Sequence, residues 1–255
     1  MKTLTYKALT LIAIAILAVP GAYADPLTPH TAQYKVKIKV LSGQLNTELR
    51  ATESGYVATH VVKPTGLARL RGGKMRVTSE FKTAADGVMP VAFHEHDTIR
   101  NDPETRIEFD WNTNQASGTV GSEAVQLQLD GISHDNVSIQ YELMHDLING
   151  EPDETYVLFD VDKMRIANVR NIGKKSFKTR AGRYEAVGIQ HQKEGSSRVT
   201  TLWCAPDLDY LPVVIEQHRK GKLNFRATLT RYTPTEDVPP SRTESTAAAP
   251  TAGMP

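Results

Sequence analysis

Residues 130–150 read DGISHDNVSIQYELMHDLING, and this stretch decides the fold because it interrupts a chain that otherwise reads as strands. Val137, Tyr141, Met144 and Ile148 fall at i, i+4, i+7 and i+11, with Ile139 and Leu147 beside them, which is the spacing of a helical stripe. Asp135 is placed as an N-cap, because a short carboxylate can accept from the free N–H groups of a first turn. Ser138 follows three residues on, and Asn149-Gly150 is a stop signal. The pattern predicts one helix over about 135–148 that lays its apolar side against a sheet.

Before it, Thr31–Leu41 alternates strictly, with Tyr34, Val36, Ile38 and Val40 on one face and Lys35, Lys37 and Lys39 on the other. That is a half-buried strand whose lysines form either a solvated face or a blunted edge. Ser42-Gly43, Ser54-Gly55 and Asp86-Gly87 read as turns, and Asn112-Thr113-Asn114 as another. They separate strands at Gln44–Arg50, Tyr56–Lys63, Lys74–Thr83, Val91–Arg100, Arg106–Trp111, Gln115–Val120 and Ala124–Leu129. After the helix come Thr155–Val161, Met164–Phe177, Tyr184–Lys193, Arg198–Trp203, Leu211–Lys220 and Leu223–Tyr232. Strands of this length and spacing indicate antiparallel pairing. The expected fold class is mainly β, a strongly curved antiparallel sheet or incomplete barrel with one packed helix.

The two ends of the chain read differently from this body. Lys2 and Lys7, the apolar run Leu9–Val19 and the small residues Ala22-Tyr23-Ala24 have the layout of a signal peptide over 1–24. The apolar run is too short to span a bilayer, which argues against an integral membrane protein. The expected product begins near Asp25 in the periplasm, with a single β-rich domain over 28–233. Residues 234–255 are rich in Pro, Thr, Ser and Ala and predict a disordered tail. Without residues 1–24 the chain carries 28 Lys and Arg against 29 Asp and Glu, a balance that argues against nucleic acid or an anionic membrane surface as the main partner. Cys204 stands alone, so no intrachain disulfide is available, and its place at a strand end predicts a buried thiol.

Several short pieces carry a family likeness: Thr65-Gly66-Leu67, Phe109-Asp110, Asp135-x-x-Ser138 before the helix, Thr179-x-x-Gly182-x-Tyr184-x-Ala186, and Leu202-Trp203 followed by Leu211-Pro212-Val213. In their order and spacing the chain, over about 34–232, resembles the proteobacterial domain-of-unknown-function family 3108 (DUF3108), a group of exported proteins. The resemblance implies a signal peptide, an envelope location and a curved antiparallel sheet. It brings no catalytic residues with it. Where the family has an Arg-rich helix end, this chain has His145-Asp146.

Among candidate chemistry, His94-Glu95-His96-Asp97 is the most suggestive cluster. On a strand His94 and His96 point to one face about 6–7 Å apart, enough for two metal ligands, with His60 or His134 as a candidate third. The alternative is an exposed polar strand. Ser133, His134, Asp135 and Ser138 invite a hydrolase reading, but no G-x-S-x-G occurs and helix capping explains Asp135 and Ser138 without chemistry. The acidic pairs Asp160/Asp162 and Asp207/Asp209 lack the loop of a calcium motif. Lys174, Lys175, Lys178, Arg180 and Arg183 surround a turn as a solvated basic hairpin or an anion contact. With no phosphate-binding glycine loop, no cofactor is expected.

These observations favour a non-enzymatic periplasmic protein that binds an apolar or amphipathic, lipid-like envelope ligand within its curved sheet. A cell-envelope assembly or scaffold factor contacting another envelope protein is the alternative, with a hydrolase or metal-dependent enzyme behind it. The helix either plugs the interior or gates it, and which of these holds decides between a filled structural barrel and a ligand carrier.

Overall fold

The computed structural model describes residues 27–84, 87–160 and 163–235. The expected signal peptide and all of the expected tail beyond residue 235 lie outside them, as do Asp86 of the expected turn and Asp162. In chain order the elements are β1 (His30–Ile38), β2 (Leu41–Thr52), β3 (Gly55–Thr65), β4 (Met75–Ala84), β5 (Gly87–Asp97), β6 (Thr105–Asp110), β7 (Gln115–Val120), β8 (Glu123–Gln128) and β9 (Ser133–His134). Helix α1 (Ser138–Asn149) follows, then β10 (Thr155–Asp160), β11 (Lys163–Lys178), β12 (Arg183–Lys193), β13 (Arg198–Ala205), β14 (Leu211–Arg219) and β15 (Lys222–Pro234).

These strands form one sheet in the order β8-β7-β6-β5-β4-β3-β2-β1-β15-β14-β13-β12-β11-β10-β9. Each half is an antiparallel meander, and β1 against β15, from His30↔Pro234 to Ile38↔Phe225, joins the halves. The short β9 pairs parallel to β10. Bulges after Gln33, Glu80, Trp203 and Gln217 bend their strands, since an extra residue on one side raises local twist. The bending curls the sheet until its far parts meet across the interior, where Phe109 on β6 meets Phe159 on β10 edge-on at 5.9 Å. The expected fold class is the one observed.

The differences are local. The first hairpin turns at Lys39-Val40, with Lys39 at φ 53°, and Ser42-Gly43 lie inside β2 opposite Thr65 and Pro64. β5 starts at Gly87, four residues before the alternation suggested. β1 is an internal strand between β2 and β15, so Lys35 and Lys37 belong to a solvated face and not to an edge.

The helix differs most. It begins at Ser138, and nine of its twelve residues are buried, including Gln140, Glu142 and His145. A helix laid on a sheet buries one stripe; this one is enclosed. Val137, Tyr141 and Met144 join the larger core, where Tyr141 stacks on Phe81 at 5.3 Å and Phe81 on Tyr56 at 5.7 Å. Ile139, Leu143 and Leu147 enter a second core with Leu158, Ile189 and Leu202 from the C-terminal strands. The helix plugs the barrel and gives each half of the sheet something to pack on.

Candidate functional site

Plugging a barrel with this helix carries polar side chains into its interior, and they fall into two groups. At the helix start Asp135, 1% exposed, accepts from the N–H groups of Val137 (2.7 Å) and Ser138 (2.9 Å) through Oδ1. Ser138 Oγ accepts in turn from the Asp135 N–H at 2.9 Å, a reciprocal box in which serine takes the place of the usual glutamate. Ser79 on β4 donates to Asp135 Oδ2 at 2.6 Å and ties the cap to the sheet. Burial pushes the Asp135 carboxyl up, and these hydrogen bonds work against that shift. Asp135 lies two residues before the N-cap position, Val137, and its carboxylate serves the free N–H groups there, so local capping accounts for both Asp135 and Ser138.

Further along, the polar groups are less well served. Glu142 Oε2 accepts from the Val88 N–H at 2.5 Å, clamping the helix to the first residues of β5. A Cβ on Gly87 would lie 2.8 Å from that same oxygen, so the glycine makes room for the carboxylate. Burial, with the nearby Asp146 charge, pushes the Glu142 carboxyl up to about 7, while the Val88 N–H pulls the other way. One turn on, His145 is buried, and neither ring nitrogen has a hydrogen-bond partner among the described residues. Its nearest carboxylate oxygen, on Asp146, is 3.6 Å away. Tyr156 donates to Asp146 at 2.5 Å and accepts from the Asp153 N–H at 2.7 Å. His134 packs edge-on to Tyr156 at 6.0 Å with Nδ1 unpartnered, and burial draws its pKa down to about 4.

Within this second group Glu142, raised to about 7 by burial, can exchange a proton near neutral pH, and His145 can pair with a polar atom brought in from outside. The group is the candidate site. The sequence hid Glu142 and His145, because on a surface helix they would mark the wet face. The available signal was the second apolar row Ile139, Leu143 and Leu147, which leaves the helix no outward side.

The predicted metal pair sits elsewhere. His94 and His96 are half exposed and gather about Glu104, at 2.7 and 3.7 Å, while Arg106 reaches the same carboxylate at 2.7 Å. His60 faces Tyr141 and His134 faces Tyr156, so neither joins them. Among the described residues no group of three or more His, Cys, Asp or Glu could hold a metal ion. Cys204 is fully buried, and burial pushes its thiol up. Lys175 lies over the rings of Phe177 and Trp203 at 5.4 and 5.7 Å, which gives one member of the basic hairpin a packing role.

Fold and interior together define a class: a β-barrel-like protein whose interior is filled by a capped helix. The chain belongs to the family of proteins of unknown function DUF3108, whose model matches residues 31–230. It is similar in fold to the beta-barrel-like protein of the domain of unknown function DUF1849 from Brucella abortus, at a TM-score of 0.57 and 14% identity, covering 83% of this chain and 99% of that one. No curated protein matches the chain. Among the described residues no helix is long and apolar enough to cross a membrane.

Proposed function

We propose that this is an exported, periplasmic, non-enzymatic protein that binds an amphipathic envelope ligand beside its internal helix. The observation that carries the reading is the buried His145, neither of whose ring nitrogens is hydrogen-bonded among the described residues and whose Nδ1 has only the Asp146 carboxylate near it, at 3.6 Å. Buried polar atoms in folded proteins are nearly always paired, and leaving both nitrogens of an enclosed imidazole without a partner costs stability that a ligand's polar group would restore. Apolar surface beside His145 comes from Tyr141 and Ile148, which lie within one turn on the same side of the helix. The interior is filled by the helix, which by itself favours a structural barrel, so binding on this view displaces or shifts the helix, and the Glu142–Val88 clamp is the contact that must give. The test is mass spectrometry of small molecules extracted from natively purified protein. An amphipathic compound in near-stoichiometric amount is the expected result. Protein that carries none, and whose unfolding is unmoved by extracted envelope lipid, overturns the reading.

A further inference from the structure

Antiparallel order brings one set of turns to one end of the barrel: the β1–β2 hairpin, the connection from β3 to β4, and the β14–β15 hairpin. They are neighbours in space, since β3, β2, β1 and β15 are adjacent strands. Residues 33–47, 60–76 and 217–228, which supply this arc, contain three, five and four Lys or Arg and not one Asp or Glu. The chain as a whole is close to neutral, with 30 basic and 29 acidic residues, so the fold gathers cations that net charge conceals.

Among the described residues, the same arc carries most of the bulky apolar exposure. Val40 is 95% exposed at the hairpin tip, and Ile38, Leu41 and Leu223 stand beside it at 41, 40 and 48%. In the 3-10 turn Gly66–Arg71, Leu67 and Leu70 are 87 and 90% exposed while Ala68 between them is buried. In a 3-10 turn residues i and i+3 eclipse, so the two leucines project from one edge. Packing alone would favour the reverse, leucine inward and alanine outward. Between this turn and β4 lies an open surface groove lined by Lys63, Arg69 and Lys74 with Pro64, Gly72, Gly73 and Thr98, and no carboxylate. Its wall is fixed by backbone: Thr98 N–H donates to the Lys74 carbonyl at 3.0 Å and Lys74 N–H to Thr98 Oγ1 at 2.8 Å. Of the acids flanking the arc, Asp97 and Asp102 are engaged with Arg100, Glu104 with His94 and Arg106, and Glu216 with Arg226, which leaves Arg226 itself paired.

We propose that this end of the barrel docks on an anionic lipid bilayer, with Val40, Leu67 and Leu70 entering the acyl boundary and the Lys63–Arg69–Lys74 groove taking a phosphate headgroup. Apolar tips within a cationic rim are what an interfacial contact needs, since each element answers one layer of the membrane surface. A nucleic acid would use the cations but leave the leucines without a role, so the bilayer is the occupant the surface favours. The contact is peripheral, and it stands whether or not the interior holds a ligand.

Co-sedimentation of the purified protein with phosphatidylcholine vesicles, with and without about one-third phosphatidylglycerol, tests this. Binding is expected to the anionic vesicles and to fall at least tenfold on phosphatidylcholine alone or in high salt. Lys63→Gln, Arg69→Gln and Lys74→Gln together should weaken it by roughly fivefold per cation removed. Leu67→Ser with Leu70→Ser should weaken it without changing the unfolding midpoint, because both side chains are in solvent. The control is Lys178→Gln, Arg180→Gln and Arg183→Gln at the opposite end, an equal loss of charge that should leave binding intact. Failure to bind anionic vesicles overturns the proposal, as does equal weakening by the control. So does a rim that binds inorganic phosphate or duplex DNA but no vesicle.

Discussion

The two ends of the internal helix bury polar groups in opposite ways. At the start, Asp135, Ser138 and Ser79 form a closed set in which each carboxylate oxygen has a donor within 2.9 Å. Further along, Glu142 holds one backbone N–H, while the His145 ring has no hydrogen bond among the described residues. A fully paired buried network fixes a structure; a partly paired one costs stability and marks a place where something else can bind or move. The start of the helix is therefore its anchor, and its later turns are where the barrel can respond.

The largest effect is expected from breaking the anchor. Asp135→Ala removes the cap, strands the Ser79 hydroxyl and frees two N–H groups, a loss of roughly 3 kcal/mol. Ser79→Ala alone removes one donor and should cost about 1 kcal/mol. Denaturant unfolding measures both, and an Asp135→Ala cost below that of Ser79→Ala would mean that the helix is not held from this end.

Next in size is a pH effect from the responsive part. Glu142 titrates near 7 when folded and near the ordinary carboxylate value of 4.5 when unfolded. Between those values the folded state holds a proton that the unfolded state has released, so stability is lost as pH rises from about 4.5 to about 7. Glu142→Gln keeps an acceptor for Val88 and removes the titration. The difference in unfolding free energy between the two proteins should change by on the order of 2 kcal/mol across that window. Taking the difference is necessary because His134, drawn down to about 4 by burial, contributes the opposite slope below its unfolded pKa of 6.5. A difference flat in pH would remove Glu142 from the site.

Gly87→Ala attacks the same clamp from the strand side. Gly87 has φ +120°, and its Cβ would overlap the Glu142 carboxylate. A cost of roughly 1–2 kcal/mol is expected. In a double-mutant cycle with Glu142→Ala part of that cost should vanish, leaving the backbone strain. Strict additivity would show that the carboxylate does not rest against Gly87.

The alternation of Tyr34, Val36 and Ile38, and the turn residues between later runs, made the sheet legible, because period-two burial is a local property of each strand. Residues 133–134 were missed since two residues carry no period, and the first turn was misplaced because Lys39-Val40 lacks turn chemistry while Ser42-Gly43 has it. Asp135 was legible as a cap for the same local reason. Glu142, His145 and the basic rim were not, because each depends on which segments the fold brings together. Glu142 meets Val88 across 54 positions, and the rim joins residues 37–41 to residues 219–223. His94 and His96 were read as a pair from their spacing, and their shared neighbour Glu104 comes from the loop before β6.

The smallest expected effect on stability bears most directly on function. His145→Leu replaces an enclosed imidazole that has no hydrogen-bond partner among the described residues by an apolar side chain of similar size, one turn from Tyr141 and Ile148 on the same side of the helix. Removing an unpaired buried polar group leaves no partner stranded, so unfolding free energy should be unchanged or raised by up to about 1 kcal/mol. Asp135→Ala offers the contrast, since there every lost atom leaves a partner behind. If His145 serves a ligand, the same substitution should also remove the extracted amphipathic compound while the fold gains. A His145→Leu protein destabilised by more than about 1 kcal/mol would mean that the imidazole has a structural partner in solution, and the distinction between the two ends of the helix would fall.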